Sequence, residues 1–178
     1  MKKLIRIIDT ISTFVGGLAG VMLCIGLLLT CGEILLRTAF DRTLYITDEY
    51  SGYLMCGLTF CALGYTLKEK GHIRMTLIHG IIRDRKRDIL DAFCFAVGFL
   101  FSLFITFHTW ELFRDSVVTS SQSMQISSTY LAIPQFFMPF GAFIMTLQFF
   151  SEFLKSILVL KGDTTGLVLH EEIQDLGR

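Results

Sequence analysis

The stretch KEKGHIRMTLIHGIIRDRKRD, residues 68–88, places seven Lys and Arg residues and two histidines between two strongly apolar runs of a 178-residue chain. Such a patch can be a nucleic-acid surface, a metal site, or the charge excess that a membrane imposes on one side of a helical protein. Composition separates these readings. Hydrophobic residues make up 52% of the chain, and 16 basic residues balance 16 acidic ones. That is too apolar for an ordinary soluble domain, and no net charge remains to draw nucleic acid. The stretch is therefore expected to be a loop joining membrane spans.

A helix crossing about 30 Å of hydrocarbon needs about 20 mainly apolar residues. Four runs qualify, at about 11–36, 50–67, 89–110 and 130–160. All are too long for strands and lack strict alternation. The first follows Lys2, Lys3 and Arg6 but exceeds a signal-peptide core in length, and no small-residue cleavage site follows it, so it reads as a retained helix. The expected fold is an all-α membrane protein with four transmembrane helices in one domain, residues 1–160, followed by a polar tail, 161–178.

Short cytoplasmic loops carry the Lys and Arg excess. The N-terminus, the 68–88 loop and the tail hold most of these residues, whereas the other two loops offer only Arg37, Arg42 and Arg114. Both termini are thus expected in the cytoplasm, with residues 37–49 and 111–129 facing outward. Tyr45, Tyr50, Trp110 and Tyr130 then fall at the outer boundary, where an aromatic belt belongs. In the opening stretch, Met75, Leu77, Ile78, Ile81 and Ile82 could seat a short amphipathic helix in the interface between helices 2 and 3. Arg83, Arg85, Lys86 and Arg87 would then meet anionic headgroups of membrane phospholipid.

Small residues at helical spacing mark surfaces on which membrane helices approach closely. Gly16, Gly20 and Cys24 form one such stripe, Gly57, Cys61 and Gly64 a second, and Cys94, Gly98, Ser102 and Thr106 a third. Together they predict a compact bundle, with Phe93, Phe101, Phe104 and Phe107 turned to lipid or to a partner. Glu33 is expected to pair with Arg37 one turn on, and Glu152 and Lys155 to snorkel toward water.

A solute path through this chain alone would leave polar or ionisable groups in mid-membrane, where they are costly and usually functional. None is expected there. The five cysteines lie inside apolar runs without a CxxC pair, His72 and His79 lie at the opposite end of the spans from His108, and no hydrolase, zincin or P-loop pattern occurs. Neither a catalytic nor a metal site is predicted. The competing reading is a membrane anchor for a redox enzyme, which would require axial haem ligands at matched depth.

The segment EILLRTAF, followed by ITDEYSGYLMCGLTFCALGYTLKEKGHIRMTLI, resembles the small membrane subunit, the DctQ-like component, of tripartite ATP-independent periplasmic (TRAP) transporters. In that family an Arg and an aromatic close the first helix, as Arg37 and Phe40 do here. An outer Trp-x-acid-Glu motif corresponds to Ile46, Thr47, Asp48 and Glu49. A glycine-containing second helix corresponds in part to Leu63 and Gly64, and a His-Ile-x-Val-Asp signature to His72, Ile73, Arg74, Met75 and Thr76. A proline-glycine element corresponds to Met138, Pro139, Phe140 and Gly141. Ile46 stands where the family has Trp, and Thr76 where it has Asp.

The resemblance implies a non-enzymatic scaffold in a bacterial inner membrane. The subunit would pair with a large TRAP membrane subunit that carries the substrate and sodium sites, and a periplasmic solute-binding protein would deliver an organic acid such as a dicarboxylate or sialic acid. It implies no cofactor in this chain. Arg37, Asp41, Arg42, Glu111, Arg114 and Asp115 become candidate contacts for the binding protein. Glu33, Asp48, Glu49, His72, Pro139 and Gly141 become candidate structural or subunit contacts.

Overall fold

The computed structural model describes residues 2–69 and 84–160. His72, Arg83, the amphipathic helix expected between residues 75 and 82, and the tail at 161–178 lie outside the described residues, as do the side chains of Arg85, Lys86 and Arg87. Most of the described chain is helical: α1 is Lys2–Phe40, α2 Thr47–Lys68, α3 Asp84–Val118, α4 Ala132–Gln135 and α5 Phe137–Leu160. No strand forms among the described residues; a single bridge joins Gln122 to Tyr130.

Three segments, Lys3–Phe40, Ile89–Val118 and Ala132–Leu158, are long and apolar enough to cross a membrane. Helix α2 has the length, at 22 residues, but Tyr50, Tyr53, Tyr65, Gly52, Gly57 and Gly64 dilute its apolar content. The run at 130–160 is not one helix. Pro139 has no N–H to offer the Gln135 carbonyl, and the regular helix is interrupted at Phe136, between α4 and α5.

The buried residues of α1 are Ile5, Ile8, Ser12, Val15, Ala19 and Met22. They recur every three or four residues, the seam by which long helices wrap on one another in a left-handed sense. This seam meets α2 and α5, which also pack together; α3 joins on another face of α5 and against the short α4, with no comparable packing against α1 or α2. The compact bundle expected from the sequence is instead a three-helix group with a fourth helix laid alongside. Phe93, Phe101, Phe104 and Phe107 on α3 are exposed.

The small-residue stripes are only partly at these contacts. Gly57, Cys61 and Gly64 are all buried, with Gly57 against Met22 and Phe137, and Gly64 against Ile144. On α3, Gly98 receives the Phe149 ring, Ser102 is buried and Thr106 meets Thr146 at 3.0 Å, while Cys94 is exposed. On α1, Gly16 lies against Tyr65, but Gly20 faces open space and Cys24 is exposed. Only one glycine of the GxxxG pattern thus lies at the interface, because the seam of Ser12, Val15, Ala19 and Met22 already occupies the face toward α2 and α5.

Candidate functional site

Polar chemistry is concentrated at the two ends of the helix group. At one end, Ser12 of α1 donates to Gln148 Oε1 of α5 at 2.7 Å, and Gln148 Nε2 donates to Asp9 Oδ1 at 2.9 Å. Lys155 Nζ then reaches Asp9 Oδ2 at 3.0 Å and Glu152 Oε1 at 2.7 Å. Ile144, Gln148, Ser151 and Lys155 follow i, i+4, i+7 and i+11, so one face of α5 carries them. Gln148 and Ser151 are fully buried. This corrects two expectations. Lys155 turns inward to Asp9 of α1 and Glu152 is buried against Lys155, so neither snorkels, and Gln148 is a polar group deep within an apolar run.

The other end is built on two carboxylates. Glu33 accepts from the Leu44 N–H at 2.7 Å and from Thr47 Oγ1 at 3.4 Å. It fastens the connection between α1 and α2, which Asp41 enters at φ 50°, and is not paired with Arg37 as the sequence suggested. The backbone amide supplies a shorter-range partner than an exposed guanidinium. Glu49, in the first turn of α2 where the helix dipole favours an anion, is buried and accepts from Tyr53 Oη at 2.6 Å and from Ser127 Oγ. Ser127 also bonds Thr129 at 2.8 Å, and Thr129 reaches Tyr50 Oη at 3.3 Å. The Ser127 hydroxyl first, then Tyr53 and Ser123, hold the Glu49 carboxyl below its ordinary pKa.

Between these ends the packing where α1, α2 and α5 meet is apolar, with Val15, Ala19, Cys61 and Ile144 buried together against Leu58, Ala62, Phe137 and Phe140, while uncharged hydroxyls, Ser102 and the Thr106–Thr146 pair, lie where α3 meets α5. Asp9 and Glu33 stand 24 residues apart on α1, about 36 Å at 1.5 Å per residue. That separation brackets a hydrocarbon layer of about 30 Å.

The candidate docking residues are not brought together. Arg37 lies in the last turn of α1 and Asp41 and Arg42 in the connection that follows it, while Glu111, Arg114 and Asp115 lie in the last turns of α3, and all six are exposed. Arg114 sits 3.8 Å from Asp115, and Glu111 lies 3.5 Å from His108, whose ring packs on Phe104 and Phe107. Asp48 is exposed, Pro139 is buried, and Gly141 lies directly against the Phe60 backbone of α2. Residue-by-residue reading missed Asp9, Ser12, Gln148 and Ser127. The first three share the helical phase of the buried apolar residues, a signal that periodicity carries; Ser127 is in a loop and gives none. No group of three or more metal-ligating side chains occurs among the described residues.

A family model described as tripartite ATP-independent periplasmic transporters, DctQ component, matches residues 26–158. The chain is also 24% identical over 143 residues to the ectoine TRAP transporter small permease protein TeaB of Halomonas elongata, covering 76% of this chain and 74% of that protein. No solved structure matches it. These findings lend no support to the redox-anchor reading.

Proposed function

The chain belongs to the DctQ family of TRAP transporter components, and on that premise we propose that it is the scaffold subunit of a sodium-coupled importer of an organic acid. It crosses a bacterial inner membrane four times with both termini in the cytoplasm, α2 being the least apolar crossing. A large membrane subunit carries the substrate and sodium sites, and a periplasmic solute-binding protein delivers the solute. Ectoine is the solute named for the relative; in this chain the selecting groups are assigned to the partners.

The observation that supports a scaffold over a conduit is the apolar seam of α1, α2 and α5 between the two polar ends, with uncharged hydroxyls, those of Ser102, Thr106 and Thr146, beside it at the α3 contact. Val15, Ala19, Cys61 and Ile144 fill it, and a passage for a charged solute needs polar or ionisable groups at that depth. Hydrogen bonds at each end hold α1, α2 and α5 in one register, which suits a stationary element against which another subunit moves.

The test is reconstitution in vesicles. Uptake should require this chain, the large subunit, the binding protein and an inward sodium gradient together, and the chain should copurify with the large subunit. Full-rate uptake by this chain alone, or by the large subunit and binding protein without it, would refute the proposal.

A further inference from the structure

Two cations meet on the outward side of α1. Gly16 of α1 lies against Tyr65 of the antiparallel α2, so Lys68, which closes α2, is level with Thr13. Lys68 Nζ donates to Thr13 Oγ1 at 2.8 Å, reaches Glu69 Oε1 at 3.2 Å and lies 5.7 Å from the centre of the Tyr65 ring. These contacts draw the ammonium sideways across α1 instead of letting it extend toward water. Arg6, on the same face as Thr13 and two turns nearer the N-terminus, adds an exposed guanidinium. Thr10 and Thr13 turn their hydroxyl hydrogens to the carbonyls of Arg6 and Asp9, both at 2.8 Å. The Asp9 carboxylate is engaged by Lys155 and Gln148. An anion arriving at this spot would therefore be recognised by Arg6 and Lys68.

Below the cations runs a trough. Gly17, Gly20 and Cys24 continue the face of Arg6 and Thr13 and are exposed, and a Cβ on either glycine would meet nothing within 4 Å. Phe14, Val21 and Leu28, at 77%, 55% and 74% exposure, form a ridge along one flank. The Tyr65 ring stands on the other. From Thr13 to Cys24 the trough runs about 16 Å, the hydrocarbon depth of one leaflet when the whole core is about 30 Å. A glycine floor would also suit a neighbouring helix. The cations at its head decide for lipid, because a phospholipid carries an anion at the end of an apolar chain.

We propose that this trough binds one anionic glycerophospholipid, its phosphate on Arg6 and Lys68 and an acyl chain over Gly17 and Gly20. The site is distinct from the basic stretch at residues 83–87. It rests on the membrane placement proposed above and is independent of the solute carried.

The test is native mass spectrometry of the full chain in mild detergent with equimolar dioleoyl-phosphatidylglycerol and dioleoyl-phosphatidylcholine. The first lipid retained should be phosphatidylglycerol by about tenfold. R6Q/K68Q should bring that ratio near one, whereas R6K/K68R and R85Q/K86Q/R87Q should keep it. G17F places a ring on the trough floor, at a Cβ position open to its surroundings. It should keep the wild-type thermal midpoint and lose most of the first bound lipid. Wild-type protein without the preference would overturn the proposal, as would a preference that survives in R6Q/K68Q. Loss of the preference in R6K/K68R or in R85Q/K86Q/R87Q, or full lipid retention by G17F, would overturn it too. Full-rate uptake in vesicles lacking this chain refutes the scaffold reading and leaves the lipid site standing.

Discussion

Replacing Gly141 with Ala tests a close backbone contact between α2 and α5. A Cβ on Gly141 would come within 2.4 Å of both the carbonyl carbon and oxygen of Phe60. Ordinary van der Waals contact begins near 3.4 Å, so α2 and α5 would have to part by about 1 Å. The obstruction is backbone inside a regular helix, and no side-chain rotation relieves it. Overpacking of this kind costs about 2 kcal/mol, equivalent to about 4–8 °C in midpoint for a chain of this size. The control is Gly20→Ala, where a Cβ meets nothing within 4 Å. Helix propensity alone favours Ala at both positions, so the packing argument predicts opposite signs. Thermal unfolding of the detergent-purified subunit, followed by exposure of buried cysteine to a thiol-reactive dye, measures both variants. A Gly141→Ala midpoint equal to or above that of Gly20→Ala would refute the assigned α2–α5 contact.

Two further outcomes follow from the polar ends. K155M leaves the Asp9 and Glu152 carboxylates without their ammonium, and D9N removes one of its two partners; each should destabilise by about 1–3 kcal/mol, reduced from a fully buried pair because both Asp9 and Lys155 retain some exposure. Their effects should be less than additive in a double-mutant cycle, and strict additivity would show that the contact carries no coupling. Glu49 has a lowered carboxyl pKa in the folded state, so its stabilising contribution is complete above its ordinary value of 4.5 and is lost as pH falls through the lower folded value. Hydrogen exchange at the Ser123 and Ser128 amides should therefore quicken on acidification below about pH 4.5, beyond the intrinsic pH effect on exchange, in the wild type and not in E49Q. A loop that loosens identically in both proteins would detach it from Glu49.

Much of the chain was legible before any coordinates. Helical class follows from apolar runs of 18 residues or more, because hydrocarbon leaves the backbone no partner except itself. The outward face of α3 was legible as well, since Phe93, Phe101, Phe104 and Phe107 sit opposite its small residues. Side-chain partners were much less so. Glu33 followed by Arg37 is a favourable local pair on any isolated helix, but the chain doubles back and brings the Leu44 amide within 2.7 Å. Likewise, Gly16 and Gly20 fit an association motif, yet a short motif does not say which of a helix's faces the neighbours take. The shape of a side chain's surroundings was equally hidden: nothing local marks Gly141 as a contact and Gly20 as open space.

The amino-acid sequence by itself determined that this is a helical membrane protein with its basic residues gathered at one set of loops, because hydropathy and charge act residue by residue against the bilayer. It also carried the motif order of the DctQ family. Only the tertiary structure decided that Asp9, Ser12, Gln148, Glu152 and Lys155 form one network and that Glu49 holds a loop 78 residues downstream. It alone set α3 beside α5 rather than inside a closed bundle. Those choices depend on which helix faces meet and in what register, and such long-range pairings are fixed by packing of the whole chain rather than by any local run of residues.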